Sequence, residues 1–241
     1  DVLTAKPGQT LRLRVINAAS DTIFSLAVGG HQLTVTHTDG YAVQPARVGA
    51  IYLGMGERYD VIVTLGDGVF PVVARPFGKT SGGQAMALIR TASGTAPGPD
   101  VNPSELSGQV LIGSQLQPAK SSMLPPKSPD STIDLALQGS MKPYQWGING
   151  AAYGKNEPLT VKAGQRLRIN ATNMSMMSHP LHVHGHTFAL PSGLRKDTVL
   201  MAPMQSVAID VEADNPGDWM VHCHNAYHGE AGMMIALEYR S

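Results

Sequence analysis

Two stretches of this chain repeat one another, and that repetition constrains the fold more than any other feature. Lys6-Pro7-Gly8-Gln9-Thr10-Leu11-Arg12-Leu13, followed by Asn17, matches Lys162-Ala163-Gly164-Gln165-Arg166-Leu167-Arg168-Ile169, followed by Asn173. Continued, the alignment sets Gly30-His31 on Gly185-His186 and Val72-Val73-Ala74 roughly on Val221-His222-Cys223. An internal repeat of this kind predicts one fold built twice. At 241 residues each copy is long enough to bury its own core.

The repeated unit reads as β. Leu11, Leu13 and Val15 alternate with Arg12 and Arg14, Leu33 and Val35 with Thr34 and Thr36, and Tyr59, Val61 and Val63 with Asp60 and Ile62. The same period of two returns in Leu167, Ile169 and Ala171 and in Val207, Ile209 and Val211, as half-buried strands require. Gly29-Gly30, Asp39-Gly40 and Gly66-Asp67-Gly68 supply turns between them. The class predicted is all-β, two sandwiches. Between them, roughly Thr91 to Asp130 is rich in Pro, Ser, Gly and Ala and reads as a connection. The division expected is 1–92, a linker over 93–130, and 131–241.

Eighteen basic residues balance eighteen acidic ones, so nothing marks a nucleic-acid or anionic-membrane partner. No apolar run is long enough for a spanning helix. The chain opens on Asp1 without a basic-then-apolar leader, which reads as a processed or truncated product.

The chemistry is concentrated in the second copy. Val221-His222-Cys223-His224-Asn225-Ala226-Tyr227-His228, with Met233-Met234 beyond, holds the single cysteine and three of the nine histidines. One cysteine makes no internal disulfide, which leaves this thiol free for chemistry. Thiolate, imidazole and thioether donors together suit copper. A second motif, His179-Pro180-Leu181-His182-Val183-His184-Gly185-His186, lies about forty residues upstream. In a regular strand His182, His184 and His186 share a face, and His222 and His224 share the face that Cys223 does not. That alternation predicts two metal sites. One draws on Cys223, His228 and one upstream histidine, the other on His222 and His224.

These motifs resemble the carboxy-terminal signatures of the blue multicopper oxidases, the family of laccases, bacterial copper-resistance oxidases and ascorbate oxidase. Gly56-Glu57-Arg58-Tyr59-Asp60-Val61 and its neighbours resemble the family's middle domain, so the likeness spans essentially the whole chain. The fold implied is two cupredoxin-like Greek-key β-sandwich domains, only the second keeping a metal loop. Carried over residue by residue, the resemblance makes His179, Cys223 and His228 type 1 copper ligands and Met233 the weak axial one. His182 falls on the type 2 position and His184, His222 and His224 on type 3 positions, while His186 matches a place that binds no copper.

The resemblance also implies a gap. The family's trinuclear cluster takes eight histidines, four of them from an amino-terminal domain with two His-x-His pairs. Residues 1–178 hold only His31 and His37, in no such pair. The chain thus resembles domains two and three, carrying type 1 copper and sharing type 2 and type 3 copper with a domain outside it. The activity implied is oxidation of a phenol or Cu(I), with single electrons entering at an exposed edge of His179 or His228. They leave through Cys223 to His222 and His224, the group where O2 is reduced to water. The resemblance further implies a periplasmic or secreted location. The alternative is a stand-alone copper-binding or electron-transfer module without oxygen chemistry.

Plainer readings stand beside these. His31, His37 and His186 read as structural histidines. Zinc takes one tetrahedral set, fewer donors than the two motifs offer, and a cupin-type His-x-His site leaves Cys223 and Met233 unexplained. Met174, Met176, Met177, Met201, Met204 and Met234 read as core filler or as a docking place for Cu(I). Asp218 and Glu230 lie near the loop as proton-relay or surface carboxylates. Where some relatives place a carboxylate directly after His228, this chain has Gly229.

Overall fold

The computed structural model describes residues 1–79 and 83–240. The first copy runs β1 (Val2–Thr4), β2 (Thr10–Ile16), β3 (Phe24–Val28), β4 (Leu33–Thr38), β5 (Tyr41–Val48), β6 (Ala50–Leu53), β7 (Arg58–Thr64), β8 (Val69–Pro76) and β9 (Ala85–Arg90), then β10 (Val110–Leu111). The second copy runs β11 (Ser131–Met141), β12 (Tyr144–Ile148), β13 (Leu159–Lys162), β14 (Arg166–Asn173), β15 (His179–Val183), β16 (Phe188–Ala189) and β17 (Arg195–Lys196). It continues with β18 (Thr198–Met201), β19 (Ser206–Glu212), β20 (Asp218–Cys223), the short helix α1 (Ala226–Glu230) and β21 (Met234–Arg240).

The duplication is visible strand by strand. One sheet of the first copy has the order β1-β9-β8-β3-β6-β10, and its counterpart has β13-β21-β20-β15-β18. The other sheets are β2-β7-β4-β5 and β12-β11-β14-β19-β16-β17. Each of β1 to β9 therefore has its equivalent twelve strands later, with β8 matching β20. The expected pairing of Val72-Val73-Ala74 with the cysteine strand stands in the topology.

Alternation does what the sequence implies. Tyr59, Val61 and Val63 are buried along β7, as are Leu167, Ile169 and Ala171 along β14, and both copies feed one contiguous apolar cluster. The matching asparagines explain the repeated turns. Asn17 donates through Nδ2 to the carbonyls of Thr22 (2.8 Å) and Leu53 (2.9 Å) and accepts from the Ala19 amide at 3.0 Å. Asn173 donates to those of Met177 (2.7 Å) and Ala202 (2.8 Å) and accepts from the Ser175 amide at 3.0 Å. Each side chain ties the loop after one strand to the end of another, in the same way twice.

The Pro- and Ser-rich segment does more than connect. Val110 and Leu111 pair in parallel with Ala50 and Ile51, extending a sheet of the first copy. Leu116 is buried, and Gly113 lies so close to the Tyr59 hydroxyl that a β-carbon there would fall 1.9 Å from it. The two copies meet across buried charge. Lys196, fully buried, donates to Thr38 Oγ1 (2.6 Å) and sits 3.0 Å from Asp39 Oδ2 and 3.3 Å from Glu57 Oε1. Burial opposes its charge, but the two carboxylates hold its pKa above the usual lysine value.

Removing the Asn173 side chain breaks its bonds to two carbonyls and leaves the buried Ser175 amide without its acceptor. Asn173→Ala is expected to lower the unfolding free energy by roughly 2–3 kcal/mol. Asn170→Ala, exposed on the same strand, should change it by no more than about 0.5 kcal/mol. Denaturant midpoints of the two variants check this.

Candidate metal centre

The site grows from one strand pairing. β15 and β20 are antiparallel neighbours with Leu181 opposite Cys223, His182 opposite His222 and Val183 opposite Val221. Side chains alternate along each strand. Cys223 therefore shares a face with Leu181 and with His179 two residues earlier, while His182 and His222 point the other way.

On the first face His179, Cys223 and His228 place one donor atom each within 4.8 Å of one another, all three buried. Cys223 Sγ lies 3.4 Å from His179 Nδ1 and 3.8 Å from His228 Nδ1, and the two ring nitrogens are 3.1 Å apart. The far nitrogen of His179, Nε2, meets Ser175 Oγ at 2.7 Å, which leaves Nδ1 aimed at the sulfur. Asn225 builds the other side. Its amide donates to Cys223 Sγ at 3.4 Å, and its side chain caps α1 by accepting from the amides of Tyr227 and His228. That cap holds His228 on the first turn. Met233 is fully buried, and its carbonyl accepts the Cys223 N–H at 3.1 Å.

On the second face His182, His184 and His222 converge within 4.8 Å. His184 Nε2 and His222 Nε2 are 2.8 Å apart. His222 Nδ1 contacts the Cys223 carbonyl at 2.8 Å, and His182 Nδ1 contacts that of Asp197 at 2.8 Å. Carbonyls only accept, so both Nδ1 atoms carry the proton and both Nε2 atoms are left unprotonated, with a lone pair that a metal could take. The His224 ring lies 5.5 Å from that of His182 and 5.7 Å from that of His222.

His186 does not join them. Gly185 takes a left-handed φ of +65° with the Trp219 ring where a side chain would stand, and this turns the chain away after His184. His186 Nδ1 instead meets the His184 carbonyl (2.9 Å) and Nε2 the Tyr239 hydroxyl (2.6 Å). Its counterpart His31 is spent the same way, on the Gly29 carbonyl (2.9 Å) and the Gly66 amide (3.0 Å). His37 contacts Thr36 Oγ1 at 3.1 Å.

Three features escaped the sequence. Trp146 stacks on His228 at 3.9 Å between ring centroids and meets His179 edge-on at 5.3 Å. Both tryptophans of the chain pack against histidines, and nothing in the sequence near those histidines signals it. Second, neither candidate entry ring offers the exposed edge expected of it, for His179 is 0% and His228 2% exposed. His228 does form part of the wall of a cavity of about 820 Å³. Third, the first copy reaches the copper loop, with Asn225 Nδ2 donating to Asp21 Oδ1 at 2.7 Å and the Ala226 amide to the Ser20 carbonyl at 2.8 Å. Among the methionines, Met201 is buried core, Met174, Met176 and Met204 are exposed, and Met176 and Met177 line that cavity. Asp218 and Glu230 are exposed.

Burial keeps these groups neutral. It pushes His179 down to about 3, with His228 adding to the effect, and takes His182, His222 and His228 to about 4. Burial raises the Cys223 thiol to about 12 against the opposing Asn225 amide, so a metal must displace its proton. A buried thiol and two buried imidazoles, with the buried Met233 bonded to Cys223 through its backbone, fit copper in an electron-transfer site, and the convergent imidazoles of the other face suit copper equally.

Comparison with known proteins agrees with this chemistry. Two family models, both described as multicopper oxidase, match residues 1–94 and 125–241. Multicopper oxidase MmcO of Mycobacterium tuberculosis is 46% identical over 98% of this chain and 47% of its own length. The copper resistance protein A homolog of Pseudomonas syringae pv. tomato is 26% identical over 95% of this chain and 54% of its own. The crystal structure of Fet3p, a multicopper oxidase that functions in iron import, superposes with a TM-score of 0.87 at 19% identity, covering 99% of this chain and 57% of that one. The chain spans about half the length of the relatives it matches.

The lowered histidines make stability depend on pH. An unfolded chain protonates them near 6.5, whereas the folded one resists until about 4 or 3, so between these values the unfolded state binds more protons. The metal-free chain is therefore expected to lose stability as pH falls from 6.5 towards 4. Urea midpoints across that range should drop less steeply in the double variant His179→Asn, His228→Gln than in the native chain.

Proposed function

The chain belongs to the multicopper oxidase family, and we propose that it is the part of such an oxidase that takes single electrons from a reducing substrate and carries them towards the place of dioxygen reduction. The observation that carries this reading is the junction at Cys223. Its side chain belongs to one buried donor group, and the adjoining residue, His222, belongs to the other.

The ligands follow from the two faces. His179, Cys223, His228 and, more weakly, Met233 would hold type 1 copper, His182 type 2 copper, and His184, His222 and His224 type 3 copper. Copper held there supplies one-electron redox chemistry and, in the second group, the reaction that turns O2 into water. The residues supply the rest. Cys223 joins the groups through its peptide bond to His222, and the hydrogen bond from His222 Nδ1 to the Cys223 carbonyl closes a second short link. Ser175 and Trp146 hold the His179 and His228 rings and keep water from the sulfur.

The division proposed is a copper-free cupredoxin-like domain over 1–92, a connection over 93–130 and a copper-binding domain over 131–241. The second histidine group is completed by an amino-terminal domain of the same kind as these two, which agrees with relatives about twice as long. This favours an oxidase portion over a stand-alone module. Copper-resistance and laccase relatives support a periplasmic or secreted setting. No helix among the described residues is long and apolar enough to cross a membrane.

The substrate enters at His228. The cavity beside it is walled by Met55, Met141, Met176 and Met177 as well as by Tyr52, Phe77, Tyr144 and Tyr227. Thioethers suit Cu(I) and rings suit phenols, and we favour Cu(I) because soft sulfur donors are specific to it whereas rings line pockets of many kinds.

Copper-loaded chain should show an intense visible thiolate-to-copper band that Cys223→Ser abolishes while copper stays on the histidine group. A native chain that takes up copper without this band counts against the type 1 assignment. Met233→Leu should raise the reduction potential of that centre and leave the band in place, because the weak axial donor is removed and the thiolate stays. An unchanged or lower potential argues against an axial role for Met233.

A further inference from the structure

We infer that Arg58, contributed by the copper-free half, is a positioning residue for the histidine group of the other half. The inference rests on the reading of that group as a copper site. Arg58 grips Asp197 with both guanidinium nitrogens, Nη1 to Oδ1 at 2.5 Å and Nη2 to Oδ2 at 2.7 Å. Its own orientation is fixed by Nη1 donating to the Gly56 carbonyl at 3.1 Å. Asp197 is held from a second side by the same half, since Asp39 Oδ2 accepts from the Asp197 and Thr198 amides, both at 3.3 Å.

What Asp197 does with that rigidity is orient His182. Its carbonyl receives the proton of His182 Nδ1 at 2.8 Å. Its carboxylate accepts from Thr198 Oγ1 at 2.9 Å, and that hydroxyl lies 3.1 Å from the same Nδ1. The chain of contacts fixes one tautomer and one ring orientation, leaving Nε2 free to face His184 and His222. Partners of this kind are half the design of a metal site.

The turn before Arg58 touches a second ring. Gly56 has φ +83°, and a β-carbon there would lie 2.5 Å from His224 Cδ2, so backbone alone fits against that imidazole. One turn, Gly56-Glu57-Arg58, thus reaches two of the four histidines. Holding the two halves together is the work of other groups, chiefly Lys196 between Asp39 and Glu57. The side chains of Arg58 and Asp197 are 35% and 16% exposed, so solvent screens their pair in part. A planar fork is also what sets Arg apart from Lys here, because a single ammonium cannot hold both carboxylate oxygens in plane.

The test compares native chain, Arg58→Met and Arg58→Lys, first without metal and then titrated with copper. In the metal-free chain, nitrogen NMR of histidine should show His182 as one Nδ1–H tautomer, which both variants lose. On copper titration the thiolate-to-copper band should be unchanged in both. The affinity of the histidine group should fall by about 10- to 100-fold. A His182 tautomer and histidine-group affinity that match the native chain overturn the inference. So does a parallel loss of the band and of thermal stability, which would make Arg58 general interface glue. A native chain that takes up copper without the thiolate-to-copper band overturns the functional reading instead, and the tautomer comparison still decides the role of Arg58.

Discussion

The antiparallel register of β15 on β20 is the constraint on which the rest depends. With Leu181 opposite Cys223 and His182 opposite His222, one sheet carries a sulfur-containing group on one face and an imidazole group on the other. A slip of one residue would exchange every side chain between faces and destroy both sets. Several contacts forbid the slip. The Cys223 amide donates to the Met233 carbonyl at 3.1 Å and the His224 amide to the Pro180 carbonyl at 2.7 Å, so the strand end is bonded on both sides. Asn173 fixes the loop that delivers His179, and Gly185 ends the run of aligned histidines.

The features written locally in the chain were the legible ones. Period-two alternation and the Lys-x-Gly-Gln turn before each asparagine act within a few residues, so the duplication and the strand faces could be read directly. The separation of Cys223 from His222 and His224 follows from the same period. What could not be read depends on distant partners. Trp146 reaches His228 from β12, Ser175 acts only because Asn173 folds its loop back, and Asp21 meets Asn225 from the other half. The proline-rich segment misleads for a related reason, since its composition reports no preference for a neighbour, yet Val110 finds Ala50 and Gly113 finds Tyr59. The exposed histidine edge failed because exposure is decided by Trp146, which no pattern around His179 or His228 announces.

The first half repeats the architecture without the chemistry. Its counterpart of the cysteine strand reads Val72-Val73-Ala74, with Val73 fully buried, so it supplies packing where the second half supplies donors. With no group of three candidate metal donors among its described residues, it acts as a frame. Asp21 fixes the loop after Cys223, Gly56 backs His224, and Arg58 reaches Asp197 beneath His182. The buried charges between the halves serve alignment better than they serve stability. Desolvating Lys196, Asp39 and Glu57 offsets much of what their attraction gains, but each wrong alignment of the halves strands a charge away from water.

The two donor groups differ in how far this chain closes them. His179, Cys223 and His228 are sealed, with Trp146 and Asn225 completing the wall, and their pKa values sit far from those of free side chains. The four histidines on the other face are only half-buried, and His182 keeps 20% of its side chain exposed. A dry, rigid enclosure suits a centre that only passes electrons, because little around it must reorganise when its charge changes. An open set of aligned Nε2 atoms suits a centre that must admit both dioxygen and further ligands. On the proposed reading the chain finishes the first kind of site by itself and prepares one wall of the second, and the frame residues of the first half hold that wall in the shape a partner wall would match.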